Sequence, residues 1–251
     1  MSAINVGMGG AVVEKAKANR TRALRLYTVM AVAAMAVALF MELFFAGTDV
    51  QQGDVQRLFY IHMGSFFSAF FAFSGAVIGG IAYLRTRNPK WDTFALACIE
   101  VGLVLAFVNV ATGSVWARPI WNTWWTWDPR LTSAAVMLLT YAAYLMLRKG
   151  IDNPDTRRRF ASVYGILAFS TVLFTLLVTR LRPDTIHPVV IGSGPSVNQE
   201  GGFAVTQGIG ITLGVSMVVW IFFLMPVLVW WRIRLENTLE RVNKLKASLE
   251  R

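Results

Sequence analysis

Thiol chemistry is almost absent from this sequence: among 251 residues there is one cysteine, Cys98. A single thiol builds no disulfide framework and no thiolate zinc site, and it leaves no pair for covalent cofactor attachment through a C-x-x-C-H segment. Charge is scarce too, at 15% of the chain, where a soluble domain carries about 25%. The scarcity is uneven. Short charged blocks alternate with long stretches that hold almost none, and a water-soluble fold would leave those stretches without a polar face. Walker-type nucleotide motifs and internal repeats are also missing. The net charge of +10 does not indicate nucleic acid, because the basic residues flank apolar runs instead of forming one stripe.

What the sequence does have is hydrophobic length. A transmembrane helix needs about 20 mostly apolar residues, and six runs qualify: 24–46, 58–84, 93–115, 131–147, 160–179 and 203–231. Backbone groups in lipid must bond internally, so these runs are predicted helices. The expected fold is all-α, a polytopic membrane protein with six transmembrane helices. Residues 1–23 read as a cytoplasmic extension, mobile over its first 20 residues, and 24–231 as the membrane domain. The first run is too long for a signal-peptide core, so it is expected to be retained. Residues 232–251 read as a cytoplasmic tail. There Leu235, Leu239, Val242, Leu245 and Leu249 have near-heptad spacing, which fits a short amphipathic helix on the membrane surface or against a partner.

Orientation follows from the basic residues. The N-terminal segment carries Lys15, Lys17, Arg20, Arg22 and Arg25, and the second-to-third connection Arg85, Arg87 and Lys90. The fourth-to-fifth connection carries Arg148, Lys149, Arg157, Arg158 and Arg159. The tail adds Arg232, Arg234, Arg241, Lys244, Lys246 and Arg251. Only Arg57, Arg118, Arg130, Arg180 and Arg182 remain for the other side. Both termini are therefore expected in the cytoplasm, with Trp91, Trp230 and Trp231 as interfacial anchors.

Three outer loops result. The second, from Trp116 to Arg130, is the most unusual stretch: Trp116, Trp121, Trp124, Trp125 and Trp127 fall within twelve residues, more than an aromatic belt requires. The spacing of Trp121, Trp124 and Trp125 predicts a short interfacial helix with these rings on one face, a flat polarisable platform. The third outer loop, 180–202, is long and holds Pro183, Pro188 and Pro195. Long loops without regular structure are often functional.

The chain's two histidines, His62 and His187, both fall on this outer face. Two imidazoles from separate segments can approach a porphyrin iron from opposite faces. The tryptophans would then flank the ring, and outer arginines such as Arg57 and Arg130 could meet its propionates. Pro188 favours extended backbone at His187. Zinc is the alternative, with Asp128 and Asp184 completing the ligand set. A membrane electron-transfer cytochrome and a transporter using the outer loop as substrate site are the competing functions. The first usually needs two stacked haems and hence more histidines. The second needs polar groups that spans four to six nearly lack.

The run Trp116-x-Arg-Pro-x-Trp121-x-Thr-Trp124-Trp125-x-Trp127-Asp128-x-Arg130-Leu-Thr-Ser resembles the tryptophan-rich signature of haem-handling membrane proteins. With Gln56-Arg57-Leu-Phe-Tyr60-Ile-His62 and the six-span layout, roughly residues 25–232 resemble the haem exporter protein C family of cytochrome c maturation. The resemblance implies a bacterial inner-membrane protein, not an enzyme, that holds non-covalent haem b between His62 and His187. It implies that the segment from Trp116 to Asp128 presents the haem to a periplasmic haem chaperone. It further implies ATP-binding cassette transporter subunits and a small single-span membrane subunit as partners.

Few polar residues interrupt the runs. Glu42, near the outer end of its span, is expected to reach water. Glu100 is expected to be structural, protonated or bonded to a hydroxyl of a neighbouring helix, and Asn109 is a weaker case of the same kind. Gly75, Gly79 and Gly80 predict close helix packing within a span rather than a phosphate loop.

Overall fold

The computed structural model describes residues 2–182, 184–187 and 205–249. Its described residues form helices and turns with no strand, and six helical segments are long and apolar enough to cross a membrane: Ala18–Phe45, Asp54–Thr86, Pro89–Trp121, Pro129–Lys149, Pro154–Leu181 and Gln207–Leu249. The helices are α1 (Ser2–Phe40), α2 (Leu58–Thr86), α3 (Pro89–Trp121), α4 (Pro129–Lys149), α5 (Pro154–Leu181), α6 (Gln207–Val219) and α7 (Met225–Leu249). α1 ends in a π-helical turn, Met41–Phe45. A second one, Trp220–Leu224, joins α6 to α7 into the sixth span.

Three helices start by one device. Asn88, Asp128 and Asn153 each take an extended conformation, accept a backbone N–H through the side chain, and precede a proline that opens the helix. The side-chain oxygen satisfies an orphan donor, and proline has no N–H to leave unsatisfied. α2 stops at Arg87, in left-handed conformation (φ 56).

α2 and α3 form the central hairpin. Gly79 lets them approach: a Cβ there would lie 3.0 Å from Ala95 Cβ and 3.1 Å from the Trp91 carbonyl oxygen, as the small residues in this span predict. α4 and α5 form a second hairpin packed on the first. Its core is the stacked pair Phe73 and Tyr141, with ring centroids 3.8 Å apart. At the end bearing the α2–α3 and α4–α5 turns, Arg148 grips Asp92 through two bonds of 2.6 and 2.9 Å, and Arg158 stands 3.8 Å from the same carboxylate. Removing one partner of such a buried pair costs about 3–5 kcal/mol, because the other charge is left alone. α1 lies outside, against α6 and α7, with Val29, Val32 and Phe44 exposed where lipid would lie.

Several expectations are corrected. The segment before the first span is helical from Ser2 and continuous with α1. α3 does not stop at 115 but continues through Pro119 to Trp121; Pro119 has no N–H for the Val115 carbonyl, and the helix ends two residues later. The tail is not a separate surface helix: α7 runs unbroken from the span to Leu249. Glu42 does not reach water. It is buried by α6 and accepts a 2.8 Å bond from Ser216. Among the described residues Glu100 has no serine or threonine partner: Arg232 on α7 binds it, at 3.0 Å through one nitrogen, while also holding Glu236.

Candidate functional site

His62 sits in the second turn of α2, buried against α3. Its Nδ1 lies 2.9 Å from the backbone carbonyl oxygen of Asn109 and 3.4 Å from Thr112 Oγ1. A carbonyl only accepts, so Nδ1 carries the proton and Nε2 holds the lone pair. The Asn109 amide donates to the His62 carbonyl at 2.8 Å, tying the two helices at this level. One turn further along α3, a Cβ on Gly113 would lie 2.9 Å from His62 Cε1, so the absence of a side chain there makes room for the ring.

His187 comes from the third outer loop. Its ring centroid is 6.4 Å from that of His62, with the planes 30° apart. Its backbone N–H lies 3.3 Å from Thr185 Oγ1, and the Thr185 hydroxyl donates to Asp128. The other Asp128 oxygen caps α4 by accepting the Leu131 N–H at 2.9 Å. One carboxylate thus fixes the start of α4 and the segment that carries His187.

Both histidines line a cavity open to the surface, shared with Trp116, Trp121, Trp125 and Arg130. The remaining wall is mainly apolar, with Phe59, Met63, Ile120 and Leu131. Trp116 meets His62 edge-on at 5.8 Å and donates from Nε1 to Gln52 at 3.0 Å. Trp121 meets His187 edge-on at 6.3 Å. The buried Nε1 of Trp125 has no hydrogen-bond partner among the described residues.

The single flat platform does not form. Asn122 adopts the left-handed conformation (φ 53) and ends α3, so no helix spans 121–125. Trp116, Trp121 and Trp125 turn to the cavity, while Trp124 and Trp127 are 58% and 77% exposed and are not part of its lining. Of the outer arginines, Arg130 joins the cavity: its guanidinium stacks 4.7 Å from the centre of the Phe66 ring and donates to the Thr175 carbonyl of α5. Arg57 does not. It donates to the Glu42 and Leu43 carbonyls at 2.6 Å and to Thr48 at 3.2 Å, closing the end of α1. Arg182 pairs with Asp184 and holds that carboxyl below the usual carboxylate range.

Among the described residues, no group of three or more His, Cys, Asp or Glu could hold a metal ion. Asp184 is engaged by Arg182, and Asp128 by Thr185 and Leu131, which removes the carboxylates the zinc alternative required. Pro183, Pro188 and Pro195 lie outside the described residues. The residues that sequence reasoning missed are Gln52, Thr112, Gly113 and Thr185. Gly113 had a faint signal, four residues after Asn109 on the same helix face. Thr185 had none.

Comparison with known proteins follows this geometry. The family model described as heme exporter protein C matches residues 11–247. The heme exporter protein C of Bradyrhizobium diazoefficiens is 33% identical over 122 residues, which is 49% of this chain and 46% of the relative. That of Paracoccus denitrificans is 31% identical over 134 residues, 53% of this chain and 54% of the relative. That of Escherichia coli K12 is 31% identical over 129 residues, 51% of each. The aligned part spans about half the length of these relatives.

Proposed function

This chain belongs to the heme exporter protein C family, as a multi-pass protein of the bacterial inner membrane, and from that premise we propose that it holds haem b non-covalently at the outer face and presents it for cytochrome c maturation. His62 and His187 would hold the iron. Trp116, Trp121 and Trp125 would line the porphyrin, and Arg130, the cation in the cavity lining, would meet its carboxylates. Trp124, Trp127 and the segment ending at Asp128 meet the recipient, a periplasmic haem chaperone. ATP-binding cassette transporter subunits and a small single-span membrane subunit complete the assembly.

One observation carries this reading: the spacing of the two imidazoles. A metal–imidazole bond is about 2 Å, so two rings on opposite sides of one ion have centroids about 6 Å apart once each ring's radius is added. The 6.4 Å between His62 and His187 matches. The donor set also fits haem better than zinc, having two nitrogens, aromatic walls and no available carboxylate. Haem supplies the iron. The chain supplies neutral nitrogen ligands, a mainly apolar wall and one guanidinium. Iron held by two imidazoles leaves only when another ligand competes, so hand-over needs a donor from the recipient.

The test is an absorption spectrum of the protein extracted from membranes. The unaltered chain is expected to show a low-spin haem spectrum, and the double variant His62→Ala, His187→Ala to lose it. Full haem occupancy in the double variant would end the proposal.

A further inference from the structure

To bind iron, the His62 ring must be held in one tautomer and one orientation. We propose that Asn109, with Gly113 one turn beyond it, is the positioning site for His62, fixing its tautomer and aim and through them the properties of the bound iron.

Imidazole has two nitrogens and, when neutral, one proton. Whichever nitrogen carries the proton cannot bind a metal. His62 is buried against α3, so protein groups bear on which nitrogen carries the proton. At His62 the deciding group is the Asn109 backbone carbonyl, 2.9 Å from Nδ1. Thr112 Oγ1 gives the same Nδ1–H a second, longer acceptor at 3.4 Å, while its own proton goes back to the carbonyls of Val108 and Asn109. The Asn109 amide nitrogen also stands 3.2 Å from Nδ1. If it donated there, Nε2 would carry the proton and be unable to bind iron. One of its two hydrogens goes to the His62 carbonyl at 2.8 Å. Against the other stands the Asn109 carbonyl, closer to Nδ1 at 2.9 Å, which an unprotonated Nδ1 would meet lone pair to lone pair, so the proton belongs on Nδ1.

The arrangement is double-ended. Asn109 bonds the backbone that bears the imidazole as well as the imidazole itself, so the position of α2 against α3 and the aim of the ring are set together. Gly113 adds a steric limit, since any Cβ there would meet Cε1 at 2.9 Å. A carbonyl on the far nitrogen of a ligating histidine raises its basicity and fixes its orientation. Loss of such outer partners typically weakens metal affinity about 10- to 100-fold.

This inference rests on His62 being an iron ligand, and the experiment separates the two claims. The unaltered chain, His62→Ala, Asn109→Leu, Asn109→Gln and Gly113→Ala are purified from membranes. Haem content, the reduced and oxidised spectra and the haem midpoint potential are measured on each. Asn109→Leu keeps the side-chain volume and removes the amide. The backbone carbonyl remains but loses the side-chain tie that holds it against Nδ1, so the variant is expected to lower haem affinity by about 10-fold, to shift the midpoint potential, and to add a high-spin component as His62 coordination becomes partial. Gly113→Ala removes no polar group and is expected to give the same spectral change by displacing the ring. Asn109→Gln, which retains an amide, is expected to restore part of the low-spin signal.

If His62→Ala keeps an unchanged low-spin spectrum, the ligand assignment fails, and this inference with it. If His62→Ala abolishes that spectrum but Asn109→Leu matches the unaltered chain in spectrum and potential, the positioning role alone is overturned. Where Asn109→Leu does not accumulate in the membrane, Gly113→Ala decides, and an unshifted spectrum and potential there overturn the proposal.

Discussion

Each tryptophan of the 116–127 segment has its own surroundings, and the proposed roles divide along the same line. Trp121 and Trp125 line the cavity, whereas Trp124 and Trp127 are mostly exposed. Trp121→Ala or Trp125→Ala is expected to weaken haem retention about 10-fold, equivalent to about 1.4 kcal/mol of lost aromatic contact. Trp124→Ala and Trp127→Ala are expected to leave retention unchanged and to slow transfer to the recipient chaperone. Titration of purified protein with haem checks the first pair, and a transfer assay the second. The sequence showed that these residues were unusual but could not sort them, because the sorting depends on a backbone torsion at Asn122 that ends the helix. Arginine was equally hard to assign. Arg57 and Arg130 look alike in the sequence, yet one is drawn to free carbonyls at the end of α1 and the other to the cavity.

At the level of helices, sequence reading did well where the bilayer dictates the answer. Six apolar runs became six spans, since lipid allows no other backbone arrangement for them. It erred at helix ends, which local bonding decides: α3 extends to Trp121, and α7 continues without a turn into the tail. It also missed the partners of buried acids, because helix packing brings Ser216 to Glu42 and Arg232 to Glu100 from more than a hundred residues away. Asp128 joins element and site. Asp128→Ala removes the α4 cap, worth about 1 kcal/mol, and frees the segment bearing His187. The expected result is a small fall in melting temperature and a much larger fall in haem occupancy. Equal, minor losses in both would mean that the Thr185 contact does not hold His187 in place.

For the molecule as a whole, the distribution of basic residues predicts both termini inside, and the lone cysteine makes this easy to examine. Cys98 is buried within α3, so it gives little background to a thiol reagent. A cysteine at Trp124 is expected to react with a membrane-impermeant maleimide added to intact spheroplasts. One at Ser248 is expected to react only after the membrane is opened. The reverse pattern would invert the topology and put the histidine pair on the cytoplasmic side. The prolines opening α3, α4 and α5 also affect how the assembly tolerates length changes. A proline cannot move deeper into its helix without breaking it, so these three rods are indexed from their starting points and have no slack to slide. An alanine inserted between Pro89 and Asn109 would therefore be absorbed as rotation, turning everything beyond it by about 100°. Asn109 and Gly113 would then face away from His62, and haem would be lost although every original side chain remained.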